Sequence, residues 1–233
     1  MQTPPLRILY EDNHLLAIDK PASVPTMGAP ADRTCLVDLA KQYIKEKYNK
    51  PGNVFLGVVS RLDAPVTGIV IFARTSKAAN RLCDQFRNRS VKKRYWALID
   101  THIDPPQGTL QHWLKRHERH RKVLISRPDA NESQEALLNY RTLRDIGQHR
   151  SLLEIELLTG RKHQIRVQLS AVDCPILGDR KYGSQVKFPE GIALHSRSLQ
   201  IQHPVQQRSI TIEAPVPNYW PRQVNEFAAQ QAK

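Results

Sequence analysis

An arginine and an aspartate stand two residues apart in Ser60-Arg61-Leu62-Asp63-Ala64-Pro65, between the apolar runs Val54 to Val59 and Gly68 to Ala73. Residues two apart in an extended chain point to the same side. A guanidinium beside a carboxylate favours the ionised acid even under partial burial. At ~4 Å and an effective dielectric of ~20 their attraction is about 4 kcal/mol before desolvation. An ionised carboxylate in a loop held by a rigid sheet suits nucleophilic or proton-abstracting chemistry. The same pair also describes an ordinary structural ion pair at a strand end, which adds little when exposed. Arg161, Lys162 and His163 precede a short helical pattern containing Ile165 and Arg166. Cations at a helix start, with its free amides, suit phosphate, although His163 and Gln164 read equally well as scaffold hydrogen-bonders. His112, His117 and His120 suggest a zinc cluster, but Lys115, Arg116, Arg119, Arg121, Lys122 and Arg127 surround them. Cations that close oppose a bound metal, so the stretch reads as a basic hairpin that either meets a polyanion or is plain surface. No phosphate-cradling glycine loop or dinucleotide fingerprint occurs, and neither metal nor organic cofactor is expected.

These groups need elements to hold them. Leu6 to Tyr10 and Leu15 to Ile18 are short apolar runs around Glu11-Asp12-Asn13, a strand–turn–strand pattern. Leu36, Leu39, Ala40, Tyr43 and Ile44 recur at helical spacing from about Thr34 to Pro51. Val54 to Ser60 and Gly68 to Ala73 read as buried strands flanking the Arg61–Asp63 loop. Ser76 is expected to cap a helix reaching Phe86. Val91 to Ile99 reads as a strand, Gly108 to Tyr140 as irregular β with charged hairpins, and Leu152 to Leu158 as an alternating strand. A short helix is expected over His163 to Ala171, strands near Ala193 to Leu199 and Ser209 to Ile212, and a terminal helix from about Pro221 to Ala229. Many strands with few helices indicate α+β with a large, mainly antiparallel sheet, rather than a doubly wound βαβ fold. No linker divides the 233 residues, which read as one catalytic domain.

Lys plus Arg is 35 against 22 acids, a net charge of +13. From Arg87 to Arg127 eleven basic residues face three acids. Such a concentrated field attracts polyanions, and phosphate neutralisation is the usual source of nucleic-acid affinity. Cys35, Cys83 and Cys174 form no C-x-x-C pair, which fits a reducing cytoplasm. No signal peptide or membrane span is expected from the apolar runs.

Further motifs stand in order around the Asp63 loop: Ile18-Asp19-Lys20-Pro21, Lys93-Arg94-Tyr95, Thr159-Gly160-Arg161-Lys162-His163-Gln164-Ile165-Arg166 and Pro175-Ile176-Leu177-Gly178-Asp179-Arg180-Lys181-Tyr182-Gly183. Together they resemble the RluA-like family of RNA pseudouridine synthases over about residues 6–215. Ser60, Val66 and Gln168 depart from the usual His, Thr and His. The resemblance implies a pseudouridine synthase fold with a large mixed sheet, flanking helices and a central cleft. It implies isomerisation of a uridine in structured ribosomal or transfer RNA, with Asp63 as the essential carboxylate, attacking the sugar or starting a glycal route. Arg61 would fill the stack vacated by the flipped uridine, Tyr95 would stack on the base, Ile165 would pack against it, and Arg166 would pair with the carboxylate. Alone, Tyr95 reads equally as a core tyrosine. Arg161, Lys162, His163, Arg116, Arg119 and Arg121 are the expected RNA contacts. Lys20 reads as a phosphate contact at the pocket mouth or as a solvated charge, and Asp179 and Tyr182 as structural. Many relatives carry an N-terminal S4 RNA-binding domain; the pattern here begins by Leu6, so none is expected, and a monomer is. The rival readings are an inactive RNA-binding protein on the same fold and an Asp–His hydrolase.

Overall fold

The computed structural model describes residues 6–28, 30, 33–117, 119–120 and 122–231. Arg121 lies outside the described residues. The chain divides into two compact units, Met1–Val91 with Ser196–Pro215 and Lys92–His195 with Val216–Lys233. Both show the α+β, mainly antiparallel architecture expected from the sequence.

In the first unit, β1 (Arg7–Glu11) pairs antiparallel with β2 (Leu15–Lys20), and β2 with β4 (Thr67–Ala73). The turn between β1 and β2 is closed by Asp12, whose Oδ1 accepts the amides of His14 and Leu15. Strand β4 is buried along its whole length, in keeping with its run of β-branched and aromatic residues. Leu16, Ile18, Val70 and Phe72 pack against α1 (Leu36–Lys47). On the other side Leu15, Ala17, Ile69 and Ile71 pack against α2 (Ser76–Arg87). Helix α2 is capped one residue earlier than expected, by Thr75, whose hydroxyl accepts the Ala78 amide at 3.1 Å. The strand expected over residues 54–60 shrinks to β3 (Gly57–Val58), where only Gly57 and Val58 pair with β4. A Cβ on Gly57 would stand 2.9 Å from the Cβ of Ala79. Helix α2 passes so close that only a glycine backbone fits there. Strands β10 (Leu194–Gln202) and β11 (Ser209–Glu213) pair antiparallel and contribute Leu199, Ile201, Ile210 and Ile212 to the same core.

Gly68 is a point of close backbone approach. Its φ is +103°, and a Cβ there would lie 2.3 Å from the Ser196 carbonyl oxygen. An alanine meets both a forbidden backbone region and a rigid wall. Gly68→Ala is expected to lower unfolding free energy by at least ~2 kcal/mol, measured by urea denaturation. A loss under half that size contradicts the close approach.

The second unit is an antiparallel array in the order β5-β9-β8-β6-β7. Its strands are β5 (Lys92–Ile99), β6 (Gln107–His117), β7 (Lys122–Ser126), β8 (Gln134–Asp145) and β9 (Ser151–Leu157). The region read as irregular β is thus long and regular. Charged residues mask its alternation: Leu114, Ala136, Leu138 and Tyr140 point inward while their neighbours are partly or fully exposed. Helix α3 (Gln164–Ser170) docks on this sheet through Val167, which packs with Leu114, Val123, Ala136 and Tyr182. Helix α4 (Arg222–Gln231) lies near the C-terminus, and its Phe227 ring sits 5.8 Å from that of Trp96.

Candidate active site

The Asp63 loop is fastened at alternate residues. Ser60 Oγ accepts the Ile71 amide at 3.1 Å. Thr26 Oγ1 accepts the Leu62 amide at 3.1 Å and donates to the Leu62 carbonyl at 2.9 Å. Lys20 Nζ donates to the Ala64 carbonyl at 2.9 Å. The Asp63 carbonyl accepts the Val66 amide at 3.0 Å, making the turn into β4. Between these fastenings Arg61 is exposed and Asp63 half-buried. Ser60, the departure from the family's usual histidine, is therefore a clip between loop and strand.

Lys20 is neither the phosphate contact nor the solvated charge that the sequence suggests, for it is fully buried. Its ammonium donates to the carbonyls of Pro21 and Val24, both at 2.8 Å, and to that of Ala64. The register explains this, because Lys20 at the end of β2 pairs with Gly68 at the start of β4. Burial pushes Lys20 down to about 7, while Asp63 and Asp19 pull it upward. Burial also pushes Asp19 up to about 6, against Arg7 and Lys20.

These opposed shifts give stability a distinctive pH dependence. Unfolded, Asp19 ionises near 3.8, but folded it holds its proton to about 6, so stability falls as pH rises through that window. Unfolded, Lys20 keeps its proton to 10.5, but folded it releases it near 7, so stability climbs as pH rises from about 7 to 10.5. Urea unfolding across this range should place the minimum of the two groups' combined contribution between about 6 and 7. Lys20→Met should remove the alkaline climb; an unchanged climb in that variant contradicts the assignment.

In the second unit, α3 begins at His163, a left-handed cap with φ 54° and ψ 19°. The Gln164 side chain organises the loop before it: Oε1 accepts from Thr159 Oγ1 at 2.8 Å and from the Arg161 amide at 2.9 Å. Arg161 donates through Nε to the Glu135 carbonyl at 2.9 Å, and Lys162 is exposed. His163 Nδ1 lies 2.7 Å from the Tyr182 hydroxyl, which favours the scaffold reading of this histidine. Ile165 and Arg166 are buried. Arg166 makes a two-pronged ion pair with Asp179, Nε to Oδ2 at 2.6 Å and Nη2 to Oδ1 at 2.8 Å. Its guanidinium carbon lies 5.0 Å from the centre of the Tyr182 ring. The sequence reading missed this pair. The signal was present: an arginine on the buried face of a helix requires a carboxylate partner.

Tyr95 sits half-buried on β5, opposite Ile155 of β9. Nearby in sequence, Lys93 Nζ donates to the Thr159 carbonyl at 3.4 Å. Gln168, another departure from the family pattern, is buried and donates to the carbonyls of Leu110 and Ala136, which ties α3 to β6 and β8. The β6–β7 hairpin carries exposed Arg116 and, just beyond it, exposed Arg119. The His117 and His120 rings lie 4.6 Å apart. Among the described residues, no three His, Cys, Asp or Glu side chains gather to hold a metal ion. A cavity of about 430 Å³, lined by Arg81, Gln85, Gln202, His203, Pro204 and Gln207, involves none of the candidate residues.

The pattern of the family described as RNA pseudouridylate synthase matches residues 14–171. Ribosomal large subunit pseudouridine synthase D of Xanthomonas campestris pv. campestris is 36% identical, over 93% of this chain and 67% of its own length. An uncharacterized RNA pseudouridine synthase of Synechocystis sp. is 35% identical over 94% of this chain and 68% of its own. Among solved structures, human RNA Pseudouridylate Synthase Domain Containing 4 shares the fold, with TM-score 0.76, 24% identity, and coverage of 97% of this chain and 92% of that one. The chain is thus an enzyme that isomerises uridine in RNA. It belongs to the RNA pseudouridylate synthase family.

Proposed function

We propose that this chain converts a specific uridine of a structured RNA into pseudouridine, with Asp63 as its catalytic carboxylate. Ribosomal RNA is the substrate its relatives' names favour. The observation that carries the reading is the fastened loop: Ser60, Leu62 and Ala64 are each held, with Arg61 exposed and Asp63 half-buried between them. A reacting carboxylate gains from such preorganisation.

The base must leave the stack before it can react, at a cost of a few kcal/mol. Arg61, long and exposed, suits the task of occupying the vacated space. Tyr95 offers a flat ring to the flipped base, a contact worth ~1–3 kcal/mol, and Ile165 an apolar wall. Asp63 then attacks the ribose C1′ or takes a sugar proton. Either way the C1′–N1 bond breaks, the uracil turns, C1′ joins C5, and the C5 proton leaves while N1 gains one; in the first route the Asp63–C1′ bond breaks as C5 displaces the carboxylate, and in the second the sugar proton is returned. Arg166, the second arginine of the resemblance, serves the reaction through a guanidinium held by Asp179. Arg161, Lys162, Arg116, Arg119 and Arg121 contribute to phosphate binding. The chain works as one catalytic domain, as a monomer in the cytoplasm, without a cofactor. Among the described residues no helix is long and apolar enough to cross a membrane.

Mapping pseudouridines by carbodiimide chemistry in total RNA, with and without this gene, tests the proposal. One or a few sites should vanish on deletion and return with the wild-type gene. An identical map in both strains defeats it.

A further inference from the structure

Arg166 is held from two directions by residues outside the sequence motif that carries it. The Asp179 carboxylate engages Nε and Nη2, both partners being nearly inaccessible, with side-chain exposures of 6% for Arg166 and 1% for Asp179. The Tyr182 ring lies against the guanidinium face. Asp179 is itself fixed by its turn. Its amide donates to the Ile176 carbonyl, and its carbonyl accepts the amides of Tyr182 and Ser184. The preceding Gly178 has φ +83°, and a Cβ there would lie 2.7 Å from Phe188 Cβ. Tyr182 is anchored at its far end, where its hydroxyl accepts the Val123 amide of β7 at 3.0 Å and meets His163 Nδ1. A planar guanidinium gripped along one edge and covered on one face has little freedom to rotate.

We propose that Asp179 and Tyr182 are positioning residues for Arg166, fixing the plane and direction in which the guanidinium presents its remaining edge. The inference rests on the reading that Arg166 serves the reaction. Neither residue touches the uridine. Both act through the arginine: the carboxylate sets its angle and offsets the cost of burying its charge, and the ring limits its tilt. Val123 belongs to the basic hairpin, so the anchor of Tyr182 also ties that hairpin's edge strand to the arginine's support.

The test compares Arg166→Lys, Asp179→Asn, Tyr182→Leu and the Arg166→Lys/Asp179→Asn double variant. Conversion is followed in single turnover at saturating RNA, beside RNA affinity and thermal unfolding. Asp179→Asn is expected to slow conversion about 100-fold and Tyr182→Leu about 10-fold, each with RNA affinity within about threefold of wild type. In the Arg166→Lys background, Asp179→Asn should cost less than about threefold more, because the arginine it positions is gone. A purely structural role would make the two losses multiply and would follow the folded fraction. If Arg166→Lys is fully active, the reading of Arg166 itself fails. If Arg166→Lys is slow while Asp179→Asn keeps the wild-type rate, the positioning proposal alone fails. Should Asp179→Asn not fold, the native enzyme still decides. The Arg166 Nε proton, assigned by its absence in Arg166→Lys, should resist hydrogen exchange for hours, and exchange within seconds overturns the proposal.

Discussion

Asp63→Asn is expected to abolish conversion, by on the order of 10³- to 10⁶-fold, while leaving an RNA-binding, folded protein. The substitution changes two atoms' charge and little volume. The fastenings of the loop use the side chains of Ser60, Thr26 and Lys20 with backbone groups of Ile71, Leu62 and Ala64, none of which is altered. The main cost to stability is the lost attraction between the Asp63 carboxylate and the buried Lys20 ammonium, on the order of 1 kcal/mol. RNA affinity should hold or rise slightly, since a negative charge is removed from a polyanion's target. The amide can neither attack C1′ nor take a sugar proton at a useful rate. Single-turnover conversion and filter binding on the same preparation separate the two effects. Equal losses of binding and conversion would point to a misfolded loop, and retained conversion would remove Asp63 from the chemistry.

The second large effect is expected from the basic hairpin. Converting Arg116, Arg119 and Arg121 to Glu reverses three charges in a segment where eleven basic residues face three acids. Arg116 and Arg119 are exposed, so little packing is lost. RNA affinity at moderate salt should fall ~10²- to 10³-fold, and the slope of log K against log salt should flatten by about 2–3. The maximal rate once RNA is saturating should change far less. Arg61→Ala provides the contrast, because the base-flipping task proposed for it should weigh on the rate more than on the salt slope. An unaltered affinity in the triple variant would place the RNA footprint elsewhere.

Much of this was readable from residue types alone. The Asp63 loop announces itself because two apolar runs flank an Arg and an Asp. Strand β4 and helix α2 follow from unbroken apolar character and from helical spacing. What escaped has a common cause, namely partners without a sequence signature. Lys20 is satisfied by three backbone carbonyls, and every residue carries one, so no pattern distinguishes its burial from exposure. The Arg166–Asp179 pair spans thirteen residues and depends on the turn at Gly178, which brings the acid back to α3. Its logic could be followed in reverse, from a buried arginine to the acids after its helix. The shortness of β3, which pairs with β4 only at Gly57 and Val58, is not betrayed by its apolar neighbours. Ser60, a departure from the usual His, holds its loop through a hydroxyl.

Isomerisation has a chemical signature that neither binding nor hydrolysis shares: the hydrogen on C5 of the target uracil is replaced by carbon. Ribosomal RNA labelled with tritium at uracil C5, incubated with the purified protein, reads this directly. The account predicts tritium release into water that saturates at about one equivalent per modified site, with an uncut strand and no free uracil. Labelled RNA that keeps all its tritium under conditions where the protein binds it would contradict the account.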